Sequence, residues 1–210
     1  MYTDAMPATR YHERMLKRKG YTYIAGVDEV GRGAWAGPLV AAAVILPSRH
    51  GITGIDDSKR LTPATREALF ERITKCAVSW AVHTVSPAVI DKRGISFANK
   101  LAIKRAVVKL STPPDFVLVD ALPVHFRMPS RSIIDGDAIS ESIAAASIVA
   151  KVTRDRMMST FNKRFPGYAF DAHKGYGTSR HMTSLYALGT CAIHRLSFAP
   201  IRDMVKKNCQ

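Results

Sequence analysis

Apolar positions along this 210-residue chain fall into short runs separated by longer amphipathic stretches, which is the rhythm of strands alternating with helices. Tyr21 to Val27 mixes β-branched, aromatic and small residues and predicts a first strand. Leu39 to Leu46 is apolar throughout and predicts a second strand, buried on both faces. Gly31, Gly33, Gly37 and Pro38 punctuate the turn between them. Thr62-Pro63 offers an N-cap followed by a first helical residue, so a helix is expected from there to Lys75. Val78 to Val85 predicts a third strand, Phe97 to Leu110 an amphipathic helix with Lys100, Lys104, Arg105 and Lys109, and Phe116 to Val119 a short buried strand. Arg131 to Ile134 completes the strands. Ser140 to Phe161 reads as a long helix, capped by Ser140 and opened by Glu141 as the helix dipole favours, with Ala144-Ala145-Ala146-Ser147 as a close-packing patch. No repeat or long linker divides this pattern, so one α/β layered domain is expected over residues 21–210, preceded by a basic extension over 1–20.

Composition adds a direction. Lys and Arg number 31 against 17 Asp and Glu, giving a formal net charge of +14. That balance suits a polyanionic partner, and equally a solvated basic surface, because charge governs association and not chemistry. Cys76, Cys191 and Cys209 are too few and too scattered for a disulfide framework or a zinc knuckle and read as reduced thiols. Met1 to Gly20 has no apolar core of a secretory signal. The longest apolar runs, Leu39 to Leu46 and Ile143 to Ala150, fall well short of the roughly 20 residues of a spanning helix. A cytoplasmic chain with no membrane partner is the expectation.

Chemistry enters at Asp28-Glu29-Val30-Gly31-Arg32-Gly33, where two adjacent carboxylates end an apolar strand. Crowded anions repel unless solvent or a cation neutralises them, and hard oxygen ligands suit magnesium or manganese. On residue chemistry alone the hexapeptide is equally a solvated turn, since Asp and Gly are common where strands end. Asp120 repeats the arrangement after Phe116 to Val119, and two strand-end acids converge if their strands are neighbours. Asp137, following Gly136, is a further candidate that taken singly also fits a loop acid or cap.

These residues resemble the type 2 ribonucleases H, the ribonuclease HII family. Asp28 to Gly33 matches the signature D-E-V-G-R-G, and Gly37-Pro38, Asp57-Ser58-Lys59, the strand end at Asp120 and Gly136-Asp137 follow in order. So do Ala144 to Asp155, His173 to Thr178, and His194 to Pro200, extending the resemblance over roughly Tyr21 to Ile201. It implies a ribonuclease H-like fold: a central mixed sheet flanked by helices, with a helical C-terminal part. It further implies metal ligands at Asp28, Glu29, Asp120 and Asp137, and two Mg2+ or Mn2+ ions when substrate is bound. The implied activity is endonucleolytic: hydrolysis of the RNA strand of RNA/DNA hybrids and cutting 5′ of single ribonucleotides in duplex DNA, leaving 5′-phosphate and 3′-hydroxyl ends.

Telling RNA from DNA requires a contact to the 2′-hydroxyl. The resemblance assigns this to the backbone of Gly31, Arg32 and Gly33, and assigns stacking on the adjoining deoxyribose to Tyr176. Without it, Tyr176 reads as a half-buried aromatic and Arg32 as an ion-pair partner. Lys59, Arg195, Arg202, Lys206 and Lys207 are candidate phosphate contacts, and Lys151, Arg154 and Arg156 share that ambiguity. Ala34-Trp35 stands where many relatives have Pro-Leu. Arg32 and the short N-terminus speak against the related type 3 enzymes. A monomer is the default, and a sliding-clamp contact is compatible with the family. The rival readings are a non-catalytic duplex binder and a hydrolase of small phosphorylated substrates; four acidic positions weigh against the first, and the net charge and lack of a P-loop weigh against the second.

Overall fold

The computed structural model describes residues 8–207, with the side chains of 206 and 207 outside the described set; the sequence expectations that concern residues 1–7, the Lys206 and Lys207 side chains and Cys209 lie outside it too. The chain opens with α1 (Tyr11–Arg18), then β1 (Ile24–Val30), β2 (Leu39–Ile45), α2 (Pro63–Cys76), β3 (Ser79–Val85), α3 (Pro87–Arg93) and α4 (Ile95–Val108). It continues through β4 (Phe116–Asp120), β5 (Ser130–Ile133), α5 (Gly136–Ile139), α6 (Glu141–Arg164), α7 (Phe170–His173), α8 (Ser179–Leu188) and α9 (Ala199–Lys207).

The five strands form one mixed sheet in the order β3-β2-β1-β4-β5. β1, β2 and β3 are antiparallel neighbours, whereas β1, β4 and β5 run parallel. Every residue of β2 is buried, as its unbroken apolarity predicts. One face of the sheet packs on α3 and α4 through Val27, Leu39, Ile90, Ala102 and Ile103. The other packs on α2 and α6 through Val40, Val44, Ile73 and the Ala144–Ala146 patch. Two further apolar clusters complete the interior: one joins Met158 to Tyr168, Phe170, Leu185 and Ile201 in the C-terminal helices, and the other joins β4 and β5 to Ile143.

Local chemistry explains the elements. Thr62 Oγ1 accepts from the Thr65 N–H and Pro63 takes the first helical position of α2. Ser140 caps α6, accepting from Ile143 N–H at 3.4 Å. α6 lies directly on β1 because Gly26 has no side chain: a Cβ there would overlap the Ser142 backbone. The first strand differs from expectation by starting at Ile24 and running on through Asp28 and Glu29 to Val30. The two carboxylates therefore stand within the ladder, where Ala42 and Ala41 of β2 pair with them. The short helices α3 and α5 escape a sequence reading because a turn or two of helix carries too little periodicity to register. Among the described residues no helix is long and apolar enough to cross a membrane.

Candidate active site

β1 and β4 are parallel, with Val27 opposite Val119, so Asp28 and Asp120 come next along adjoining strands and emerge at one end of the sheet. Asp28 is buried and takes a hydrogen bond from Ser147 of α6, whose hydroxyl lies 2.8 Å from that of Ser58. Consecutive strand residues face opposite sides. Glu29 accordingly turns towards α4, where its Oε1 accepts from Asn99 Nδ2 at 3.0 Å, while Arg32 Nη1 stands 3.8 Å away. Asp120 Oδ1 accepts from the Gly136 N–H at 2.7 Å, which hangs the single turn α5 beside the strand end. One residue on, buried Asp137 receives the Lys59 ammonium at 2.9 Å.

The electrostatics of this end follow from burying several like charges together. Burial foremost, then Glu29 and Asp120, and more weakly Asp137, push the Asp28 carboxyl well above its usual value against the opposing bond from Ser147. Burial likewise raises Glu29, against the Asn99 bond and Arg32, and raises Asp120 against the Gly136 amide. Asp57, on the loop before Lys59, is raised by burial and by its neighbour Asp137. Burial opposes the charge of Lys59, but Asp137, Asp57 and Asp28 together hold the ammonium above its usual value.

These groups fit a divalent cation by their chemistry: the donors are all carboxylate oxygens, and the buried Glu29 Oε2 has no hydrogen-bond partner. As the side chains stand, the described residues hold no group of three His, Cys, Asp or Glu converged on one point. Glu29 faces the α4 side, and the Lys59 ammonium takes a cation's place beside Asp137.

Next to the acids lies a second assembly. Arg154 and Arg195 are both 0% exposed, and each guanidinium is spent on backbone carbonyls. Arg154 donates to Pro38 O, Ala36 O and Lys174 O at 3.0, 3.2 and 2.9 Å. Arg195 donates twice to Gly37 O and once, at 2.9 Å, to Arg32 O. Gly31, at φ +92°, supplies the turn that makes room for Arg154. Arg154 thus ties residues 31–38 to the 173–178 loop, where Trp35 N–H also donates to Gly175 O at 2.8 Å, while Arg195 braces residues 31–38 alone. Tyr176 is half-buried on that loop with the Arg154 guanidinium 5.3 Å from its ring centre.

Three histidines lock the loop from beneath. The Tyr176 carbonyl lies 3.0 Å from His181 Nδ1, which must donate, so His181 Nε2 accepts from His194 Nε2 at 3.1 Å. His194 Nδ1 in turn accepts from the Cys191 N–H at 2.8 Å. His173 stacks on His181, accepts from the Gly175 N–H and donates to Tyr168 O. Burial lowers His181 and His194 to about 4, and lowers His173 as well. Trp35, where the sequence departs from Pro-Leu, packs on His181 with ring centres 5.5 Å apart.

Asp28, Glu29, Asp120, Asp137 and Lys59 are therefore brought to one sheet end, with Gly31 to Gly33 following directly on β1. Arg32 and Gly33 are exposed there. Arg195 and Arg154 are withdrawn from any surface role, since neither side chain reaches solvent. Arg156 bonds Glu67 and Glu71, and Lys151 bonds Asp155 at 2.8 Å, so these two charges are already partnered. Arg202 is exposed beside Asp203. Sequence reasoning missed Asn99 and the role of Ser147. The available signal was a lone Asn among the buried Ala98, Ala102, Ile103 and Ala106 of α4, and a Ser ending an alanine run.

Residues 25–201 match the family model described as Ribonuclease HII. The chain is 51% identical over 194 residues to the ribonuclease HII of Listeria monocytogenes serotype 4b (strain F2365), covering 92% of this chain and 74% of that protein. Among solved structures it resembles the ribonuclease H2 from Pyrococcus horikoshii OT3, with TM-score 0.75, 26% identity and coverage of 89% of this chain and 99% of that one. It also resembles the chain in the PCNA:RNase HII complex from Archaeoglobus fulgidus, with TM-score 0.71 and 27% identity over 84% of this chain and 95% of that one. The mixed sheet with its flanking and C-terminal helices is thus a ribonuclease H-like fold.

Proposed function

The chain belongs to the ribonuclease HII family, metal-dependent endonucleases of the RNA in RNA/DNA hybrids, and from that premise we propose that it also excises single ribonucleotides from duplex DNA, cutting on their 5′ side. Asp28, Glu29, Asp120 and Asp137 are the metal ligands in this reading. The observation that carries it is the placement of the four acids at one sheet end: Asp28 and Glu29 on β1, Asp120 at the end of the adjoining parallel β4, and Asp137 on the turn that Asp120 holds.

A pair of Mg2+ or Mn2+ ions bound there would supply Lewis acidity, activating water for in-line attack and stabilising the leaving 3′ oxygen. Everything else falls to the chain. Ser147 and Asn99 orient Asp28 and Glu29, and Gly136 N–H orients Asp120. Lys59, its side chain 76% exposed, is free to turn from Asp137 towards a phosphate. The backbone of Gly31, Arg32 and Gly33 meets the ribose 2′-hydroxyl, and Tyr176 stacks on the following deoxyribose. Because Arg154 ties these two reading segments together and Arg195 braces the first of them, both sugars of an RNA-to-DNA junction are inspected by one rigid unit.

The reading takes residues 21–210 as one catalytic domain with 1–20 as an extension, acting as a cytoplasmic monomer. The likeness to a relative solved with PCNA supports including a sliding-clamp contact. The net charge of +14 suits the duplex partner.

Purified protein with Mg2+ or Mn2+ is expected to nick a DNA duplex carrying one ribonucleotide on its 5′ side, leaving 3′-hydroxyl and 5′-phosphate ends. Cleavage of long hybrids with no nick at the single ribonucleotide would refute the excision reading. Tyr176→Ala is expected to slow junction cutting by about tenfold relative to hybrid cutting, on the scale of one base or sugar stacking contact.

A further inference from the structure

The N-terminal arm has no part in the reading above, and most of it precedes the matched residues 25–201. Yet it makes a dense set of contacts at one place, the junction between α5 and α6. Thr9 pairs with Ser140 as a parallel bridge. Its N–H donates to Ile139 O, and its carbonyl accepts from the Glu141 N–H, both at 3.1 Å. One helical turn on, Glu13 is 4% exposed, a carboxylate set inside the protein. Its Oε1 accepts from Ser140 Oγ at 2.6 Å and from the Ser142 N–H at 2.9 Å. Arg10 pairs with Glu141 at 2.9 Å and reaches the carbonyls of Pro47 and Ser48.

A buried carboxylate is costly unless its surroundings compensate it. Here it sits at the positive end of the 24-residue helix α6 and receives an otherwise unpaired first-turn amide. Ser140 caps α6 while donating to Glu13, so the cap itself is oriented from the arm. The segment so pinned begins two residues after Asp137. α5, four residues long, is held at its start by Asp120 through the Gly136 N–H, and at its end by the arm. Beyond these two anchors its backbone has the bonds Ala138 N–H to Asp135 O at 3.0 Å and Ser140 N–H to Gly136 O at 2.8 Å, and its Asp137 side chain meets exposed Lys59. The same helix start lies against Gly26 of β1, two residues before Asp28.

We propose that Glu13 is a positioning residue of the metal centre, fixing the α5–α6 junction so that Asp137 stands in register with Asp28 and Asp120. The inference rests on the reading of Asp137 as a ligand. Groups one layer out from a metal ligand govern affinity, and their loss costs roughly 10–100-fold; Glu13 acts through backbone and belongs at the lower end.

The test is binding of Mn2+ alone to the full chain, with free Mn2+ counted by electron paramagnetic resonance, alongside hydrogen exchange at residues 136–142 and thermal unfolding. Glu13→Ala is expected to weaken Mn2+ binding about tenfold and to release the protection of 139–142. Glu13→Gln, which keeps the accepting oxygen, is expected to restore most of both. Ile201→Ala, in the C-terminal cluster away from the arm, controls for stability: it should lower the unfolding temperature and leave Mn2+ affinity unchanged. If Glu13→Ala does not fold, Glu13→Asp, shorter by one methylene, is expected to show the same loss in weaker form. Wild-type Mn2+ affinity in a Glu13→Ala protein whose junction has loosened overturns the proposal, as does equal weakening in Ile201→Ala. Unchanged Mn2+ binding in Asp137→Asn is a different failure: it removes the ligand reading itself, and the inference falls with it.

Discussion

The two halves of the site are built on opposite electrostatic plans. At the sheet end, carboxylates are crowded with too few partners: Glu29 Oε2 is unpaired and the carboxyls of Asp28, Glu29 and Asp120 are raised by burial and, in part, by one another. Beside it, two buried guanidinium groups and three neutral histidines are satisfied by named acceptors and donors, nearly all of them backbone. An unsatisfied cluster stores affinity for something that is not protein, whereas a satisfied one fixes shape. The first half is suited to hold cations and the second to hold the loops that would meet a sugar.

The sharpest way to break this contrast is Asp28→Asn. Removing one charge from the acidic end should lower cleavage by roughly 10³-fold or more, the scale of losing metal-derived stabilisation of the transition state. Duplex binding, read by fluorescence anisotropy, should persist because the basic surface is untouched. The unfolding temperature should hold or rise, since a buried, repelled carboxylate is removed. Cleavage within a few-fold of wild type would show that Asp28 holds no catalytic ion.

That asymmetry also decides what could be read from the sequence. Carboxylates ending apolar runs violate the expectation for a strand, so Asp28, Glu29 and Asp120 announce themselves, and the unbroken apolarity of β2 and the Thr62-Pro63 start of α2 are equally plain. Arg154 and Arg195 do not: in sequence they are two basic residues among 31 Lys and Arg. Only packing shows that they are 0% exposed and spent on carbonyls of Ala36, Gly37, Pro38, Lys174 and Arg32. Asp137 and Glu13 fall between these cases. Each is an acid in a polar stretch, and its place is set by contacts made across the fold, with Lys59 for the one and with Ser140 and Ser142 for the other.

A second, smaller effect tests the shape-fixing half. Arg195→Lys keeps the positive charge but replaces a fork that reaches Gly37 O twice and Arg32 O once with a single ammonium. One buried carbonyl is then left without its donor, at a cost of about 1–3 kcal/mol. For a chain of this size each kcal/mol lowers the unfolding temperature by roughly 2–4 °C. Because Arg32 loses its tether, KM on a one-ribonucleotide duplex should rise while kcat changes little. A fall in kcat at constant KM would place Arg195 with the acids and not with the loops.

The smallest effect separates the halves by the sign of their response to acid. His181 and His194 have folded values of about 4 against the ordinary 6.5, so the folded state binds fewer protons than the unfolded chain in that interval. Their contribution to stability is complete above pH 6.5 and is lost as pH falls from there towards 4. Burial is the main cause, and the hydrogen-bond chain fits it: a proton added to His181 Nε2 would face the His194 N–H, and one added to His194 Nδ1 would face the Cys191 N–H. Asp28 runs the other way. Its folded carboxyl lies well above the ordinary 3.8, so the penalty of its charge is relieved as pH falls through the folded value. In the wild-type protein the two trends partly cancel. In Asp28→Asn the strongest opposing contribution is removed while those of Glu29, Asp57 and Asp120 stay, so the unfolding temperature should fall more steeply between pH 6.5 and 4.5 than in the wild type, by several degrees. A curve in the variant no steeper than that of the wild type would mean that Asp28 does not oppose the histidines over this interval.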